Sequence, residues 1–166
     1  MEIISIVHSL FIFNFRNKLH YEVLIGISSL YYINDIKYVN KMYLFHHLFS
    51  MYVFWYCWGD TFLESLIKKV WVVEGSVPFL NLYLLLDKKS SLKKMLLVIY
   101  LLSHVYFRNI ILIQIYKENF NKLENKSSII FIIFLCMNFW WTYRTILKIK
   151  NFVPIIVPKN TLKDTT

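Results

Sequence analysis

The stretch MLLVIYLLSHVYFRNIILIQIY, Met95 to Tyr116, runs for 22 residues in which only His104 and Arg108 can carry a charge. At about 1.5 Å per residue, a helix of this length covers the roughly 30 Å hydrocarbon core of a bilayer. Five more apolar segments flank it: Ile3–Phe15, Tyr21–Ile33, Met42–Trp58, Val70–Leu86 (reaching back to Phe62 on a wider reading) and Ser128–Thr142. The linkers between them, RNKLH, NDIKYVNK, DKKSSLKK and KENFNKLENKS, are short and polar and read as turns between antiparallel neighbours. The expected fold is all-α, a polytopic transmembrane bundle of about six helices. One transmembrane domain is expected over residues 1–150. An irregular cytosolic tail follows over 151–166, where Pro154 and Pro158 break any period. The first two segments are short for a span and rely on flanking Lys and Tyr to snorkel to the interface. A soluble helical bundle is the alternative, with those segments as core helices.

Composition favours the membrane. Hydrophobic residues make up 57% of the 166, above the roughly 45–50% of a soluble domain. With 3 Gly in the whole chain there is no glycine-rich phosphate loop. The net charge of +9 comes from 19 Lys and Arg against 10 Asp and Glu. These cations lie between apolar runs rather than along one face, so no nucleic-acid partner is expected. If all six segments span and the N-terminus is cytosolic, eleven Lys and Arg between Lys37 and Lys163 fall on the cytosolic side. Five fall opposite, or seven if Lys68 and Lys69 lie in that loop. Both termini are therefore placed in the cytosol. Cys57 and Cys136 sit far apart inside apolar runs and form no CxxC motif, so both read as small buried hydrophobes. No metal and no bound cofactor is expected. Met1–Phe15 lacks a basic start and a small-residue cleavage site, so no cleavable signal peptide is expected.

Polar groups inside these segments are the candidate site. A charge at bilayer depth costs about 2.5–3.5 kcal/mol and usually faces protein or a water-filled cavity. His8, Asp35, His46, His47, Glu74, Asn81, His104, Arg108, Asn109 and Asn138 all fall in or at the end of apolar segments. Glu74, Pro78 and Asn81 share a helical face. Pro78 has no N–H to bond the Glu74 carbonyl, and Gly75 and Ser76 already weaken the helix, so a broken turn is expected there. His104 and Arg108 also share a face, and Glu74 is a natural counter-ion for Arg108. His46 and His47 point about 100° apart on a helix, which disfavours joint chelation of one metal. One ring can face a cavity while the other bonds a neighbouring helix. A neutral imidazole there can shuttle protons or act as a nucleophile, or simply pack.

Taken in order, VHS (Val7–Ser9), YYINDI (Tyr31–Ile36), FHHLFS (Phe45–Ser50), VEGSVPFLNL (Val73–Leu82) and YFRNII (Tyr106–Ile111) resemble the TLC-domain family, over roughly Ile6 to Trp141. That family includes ceramide synthases, translocating-chain-associated membrane proteins and smaller lipid-regulating proteins. The Glu-Ser-Pro-Phe-Asn string is the most specific part. Three departures stand out: no spanning segment is expected before Ile3, Tyr83 stands where the family often has Arg, and the longer acidic motif of ceramide synthases is absent although Asp60 and Glu64 are present. The resemblance is therefore nearest to the small TLC-domain proteins. It implies an integral protein of the endoplasmic reticulum that binds or senses membrane lipids and regulates lipid composition. His8, Asp35, Glu74, Asn81, His104 and Arg108 would line its lipid site. The alternative is an N-acyltransferase of the ceramide synthase type with acyl-CoA as co-substrate and His46 or His47 catalytic. A second alternative is a cargo receptor or translocation helper. Enzymatic activity is left open, as is self-association into a homo-oligomer.

Overall fold

Each apolar segment becomes a helical rod. Helices α1 (Glu2–Phe15), α2 (Tyr21–Asp35) and α3 (Lys41–Cys57) are followed by a rod in two parts, α4 (Thr61–Val70) and α5 (Val77–Leu85), joined by the 3-10 segment Trp71–Ser76. The fifth rod is α6 (Ser91–His104), the π-helical segment Val105–Ile110 and α7 (Ile111–Asn119), closed by a 3-10 turn at Phe120–Lys122. The last is α8 (Asn125–Phe152). The computed structural model describes residues 2–37, 41–87 and 90–152, and no strand occurs among them. Tail residues 153–166, Tyr38–Asn40, and the linker lysines Lys88 and Lys89 lie outside the described residues. Helix α8 runs 28 residues and so passes the expected domain end at 150.

Local chemistry sets the breaks. Gly59 takes φ 87, the left-handed region that suits a residue without Cβ, and ends α3. Asp60 then caps α4, its Oδ1 accepting from the Phe62 and Leu63 N–H groups at 2.9 and 3.0 Å. The Glu64 carboxylate reaches back to the Gly59 N–H at 2.9 Å. Further along, Pro78 sits in the first turn of α5. The Glu74 carbonyl is not left free there, contrary to the sequence expectation. The backbone tightens to 3-10 geometry and the Val77 N–H bonds that carbonyl.

Three apolar clusters hold the rods together. Ile12, Tyr21, Leu24, Phe54 and Trp71 join α1–α3 to the 3-10 segment. Leu66, Val70, Val73, Leu112 and Phe131 join the fourth, fifth and sixth rods. Tyr83, Leu97 and Tyr100 join α5 to α6. Helix α1 lies along α5 and the 3-10 segment, α6 packs on α8, and the 3-10 and π segments face each other. Gly75 permits the close approach of α1. A Cβ there would sit 2.8 Å from Phe13 Cε2 and 3.1 Å from Phe107 Cε2. Gly75→Val is expected to lower stability by about 1–3 kcal/mol through overpacking. The measurement is the thermal midpoint in detergent, and an unchanged midpoint would show that both rings turn away freely.

By length and composition two helices can cross a membrane, residues 92–122 and 125–150. At 14 residues α1 is apolar but short. Large apolar side chains line the outside of the rods, among them Ile3, Leu30, Phe45, Trp55, Leu102 and Ile129. Cys136, expected to be buried, is exposed on α8, whereas Cys57 is buried. Cys136 falls on the face of α8 that no other rod covers, a position apolar composition alone does not distinguish from a core one.

Candidate functional site

The rods enclose a chamber of about 610 Å³. Asp35, His46, His47, Glu74, Asn81, His104 and Arg108 all line it. His8 does not; it lies behind the wall, stacked on Tyr31 at 4.1 Å with Nε2 3.3 Å from Ser28 Oγ. Glu2, Ser5, Asp35, Leu84 and Lys148 mark the end of the bundle that the chamber reaches. Leu84 and Lys148 are exposed, so it meets the surface there. A second, apolar recess of about 50 Å³ is lined by Val53, Phe54, Val70, Trp71, Val73 and Phe131 among others. The two cavities share Tyr32, His46 and Glu74 in their walls.

The two histidines divide their work. His47 donates Nε2–H to Asp35 Oδ2 at 2.8 Å, crossing from α3 to the end of α2. Its ring stacks on Tyr32 at 4.5 Å, and its Nδ1 is sealed without a partner. His46 stands edge-on to Trp141 at 4.8 Å, with Nδ1 3.4 Å from Ser50 Oγ. The ring centroids lie 5.5 Å apart.

Arg108 is held by the irregular segments. The π turn of Val105–Ile110 is wider than an α turn and resets the direction of the side chains it carries. Arg108 donates Nε–H to Ser76 Oγ at 2.9 Å and Nη1–H to Asn138 Oδ1 at 3.3 Å, and lies over the Trp141 ring at 5.7 Å. Ser76 in turn donates to the Val73 carbonyl at 3.0 Å. Asn109 donates to Thr142 Oγ1 at 2.8 Å, pinning the same turn to α8. His104 donates Nε2–H to the Asn138 carbonyl at 3.3 Å, which leaves Nδ1 to accept from the Tyr100 hydroxyl at 3.1 Å. Glu74 and Arg108 share the chamber but make no ion pair within 4.0 Å among the described residues. The direct counter-ion contact read from the sequence is replaced by neutral partners of Arg108.

Tyr32, Tyr43, Ser76, Tyr100 and Trp141 also line the chamber and were not singled out as site residues. Asn138, noted only as a polar residue in the last segment, proves to be the anchor of Arg108. Its spacing with Thr142 and Thr145 gives α8 one polar face, a signal present in the sequence. Among the described residues no cluster of His, Cys, Asp and Glu could hold a metal. No family model, curated protein or solved structure matches the chain.

Proposed function

We propose that the chain is a multi-pass membrane protein of the TLC type that binds a membrane lipid in its chamber and thereby regulates lipid composition, with the endoplasmic reticulum as its site. One observation carries this reading: a chamber of mixed lining, with its charged and polar groups facing inward and one end open, adjoins an apolar recess across Tyr32, His46 and Glu74. An amphiphile has the same order of parts, a polar head and an apolar tail. The many large apolar side chains exposed on the rods support immersion in lipid, because large exposed apolar surfaces mark contact with membrane or protein. The rods that fall short of a full span depend on tilt, local thinning and interfacial anchors. Lys68 bonds the Leu19 carbonyl at 2.9 Å, at the end opposite the chamber mouth. Counting Lys68 and Lys69 there leaves eleven Lys and Arg against seven, an imbalance that supports a cytosolic mouth.

The test is lipid content. Protein extracted in a mild detergent is expected to retain a lipid that solvent extraction and mass spectrometry identify. Val53→Phe adds bulk to the recess wall and is expected to reduce retention severalfold at unchanged helicity. Equal retention by both proteins would remove the recess from the reading.

The acyltransferase alternative is supported by a different observation, the 2.8 Å Asp35–His47 contact beside a second imidazole. With Nδ1 of His47 sealed, the neighbouring His46 is the imidazole that can serve as a general base toward a long-chain amine attacking acyl-CoA.

A further inference from the structure

Glu74 is buried at 7% exposure on the chamber wall and has no hydrogen-bond partner among the described residues. Its carboxylate oxygens are absent from the sealed, unpartnered atoms, so they face the cavity rather than packed protein. Arg108, at 6% exposure, spends Nε and Nη1 on Ser76 and Asn138 and leaves Nη2 without a hydrogen-bond partner among the described residues. Glu74 and Arg108, opposite in charge when both are ionised, thus line one cavity without forming an ion pair within 4.0 Å among the described residues. Buried charges held this way are strongly unfavourable unless something else completes them.

We infer that the chamber selects a zwitterionic head group, with a primary ammonium on Glu74 and an oxyanion on Arg108. This inference rests on the lipid-binding reading and names its ligand class. An ammonium offers N–H donors, which the isolated carboxylate lacks. A phosphate oxygen accepts from the free guanidinium edge through a charge-assisted bond. A singly charged amphiphile would complete one wall group and leave the other unpaired. A quaternary ammonium has no N–H for Glu74. The chamber, at about 610 Å³, lies within the roughly 300–1,000 Å³ range of small-molecule sites. The recess, at about 50 Å³, takes only the first carbons of a chain, and lysophosphatidylethanolamine, a single-chain amphiphile that carries both head-group charges, is the probe.

The experiment measures binding to the purified full chain in an uncharged detergent, by native mass spectrometry and thermal shift. The probes are lysophosphatidylethanolamine, lysophosphatidylcholine, oleic acid, oleylamine and water-soluble phosphoethanolamine. Lysophosphatidylethanolamine is expected to bind about 30-fold or more tighter than oleic acid or oleylamine, since each leaves one buried charge unpaired. Glu74→Gln is expected to erase its advantage over oleic acid, and Arg108→Lys to narrow its advantage over oleylamine. Equal affinity for a singly charged probe or for lysophosphatidylcholine overturns the zwitterion assignment and leaves lipid binding standing. Equal affinity for phosphoethanolamine keeps the head-group chemistry and overturns the lipid reading. Binding of no probe, by a protein that is otherwise folded, overturns both.

Discussion

Arg108→Met is expected to lower the stability of the bundle by about 3 kcal/mol or more, the scale for removing one member of a buried charge set. Methionine fills most of the same volume, so lost packing is a small part of this effect. The larger part is electrostatic. Asn138 Oδ1 loses its donor, and Glu74 loses the buried cation that shares its chamber wall. Ser76 keeps its bond to the Val73 carbonyl and suffers less. Arg108→Lys retains the charge but not the fork that reaches Ser76 and Asn138 together, and is expected to fall between. The double variant Glu74→Gln, Arg108→Met is expected to be more stable than the sum of its parts by about 1 kcal/mol or more, because removing both charges removes the unpaired state. Unfolding in detergent, followed for wild type, Arg108→Met, Arg108→Lys, Glu74→Gln and the double variant, decides it. An Arg108→Met protein as stable as the wild type would mean that water alone satisfies the site.

The sequence reveals the fold through segment lengths and linkers, because apolar runs and polar turns are local properties. It also reveals which polar residues are misplaced for their surroundings, and seven of the eight read as lipid-contacting or catalytic share one cavity. Less legible is how each group is satisfied. Two irregular turns displace Arg108 and Glu74 from the positions an ideal helix would give them, and neutral Ser76 and Asn138 take up the guanidinium. Pro78 announces the first irregularity, while nothing in VYFRNI announces a π turn. Depth and the VHS stretch both group His8 with the others, and only packing places it behind Tyr31. Cys136 shows the converse limit. In a chain whose outside is also apolar, hydrophobicity cannot say which face of α8 is covered.

The contact between Asp35 and His47 separates a binding protein from an enzyme. Among the described residues Asp35 holds the one hydrogen bond made by the His47 ring, since Nδ1 is sealed without a partner. Asp35→Ala should therefore strand both nitrogens and cost about 1–3 kcal/mol. His47→Phe in the same protein removes the stranded group and keeps a ring against Tyr32, which lies 4.5 Å away. The double variant Asp35→Ala, His47→Phe is accordingly expected to regain most of that loss, as replacing both polar partners often does. If the pair is structural, this double variant also retains the co-purifying lipid, and wild type consumes no acyl-CoA when offered a panel of long-chain amines. If the pair is catalytic, wild type turns over, and His47→Phe slows it by about 10²–10⁴-fold while lipid retention stays intact. His46→Ala, tested in parallel, shows which imidazole carries the proton. We expect the structural outcome, because the His47 ring is held by Asp35 and Tyr32 and its Nδ1 is sealed away from the chamber. Acyl-CoA consumption by wild type that disappears in either histidine variant would reverse that assignment.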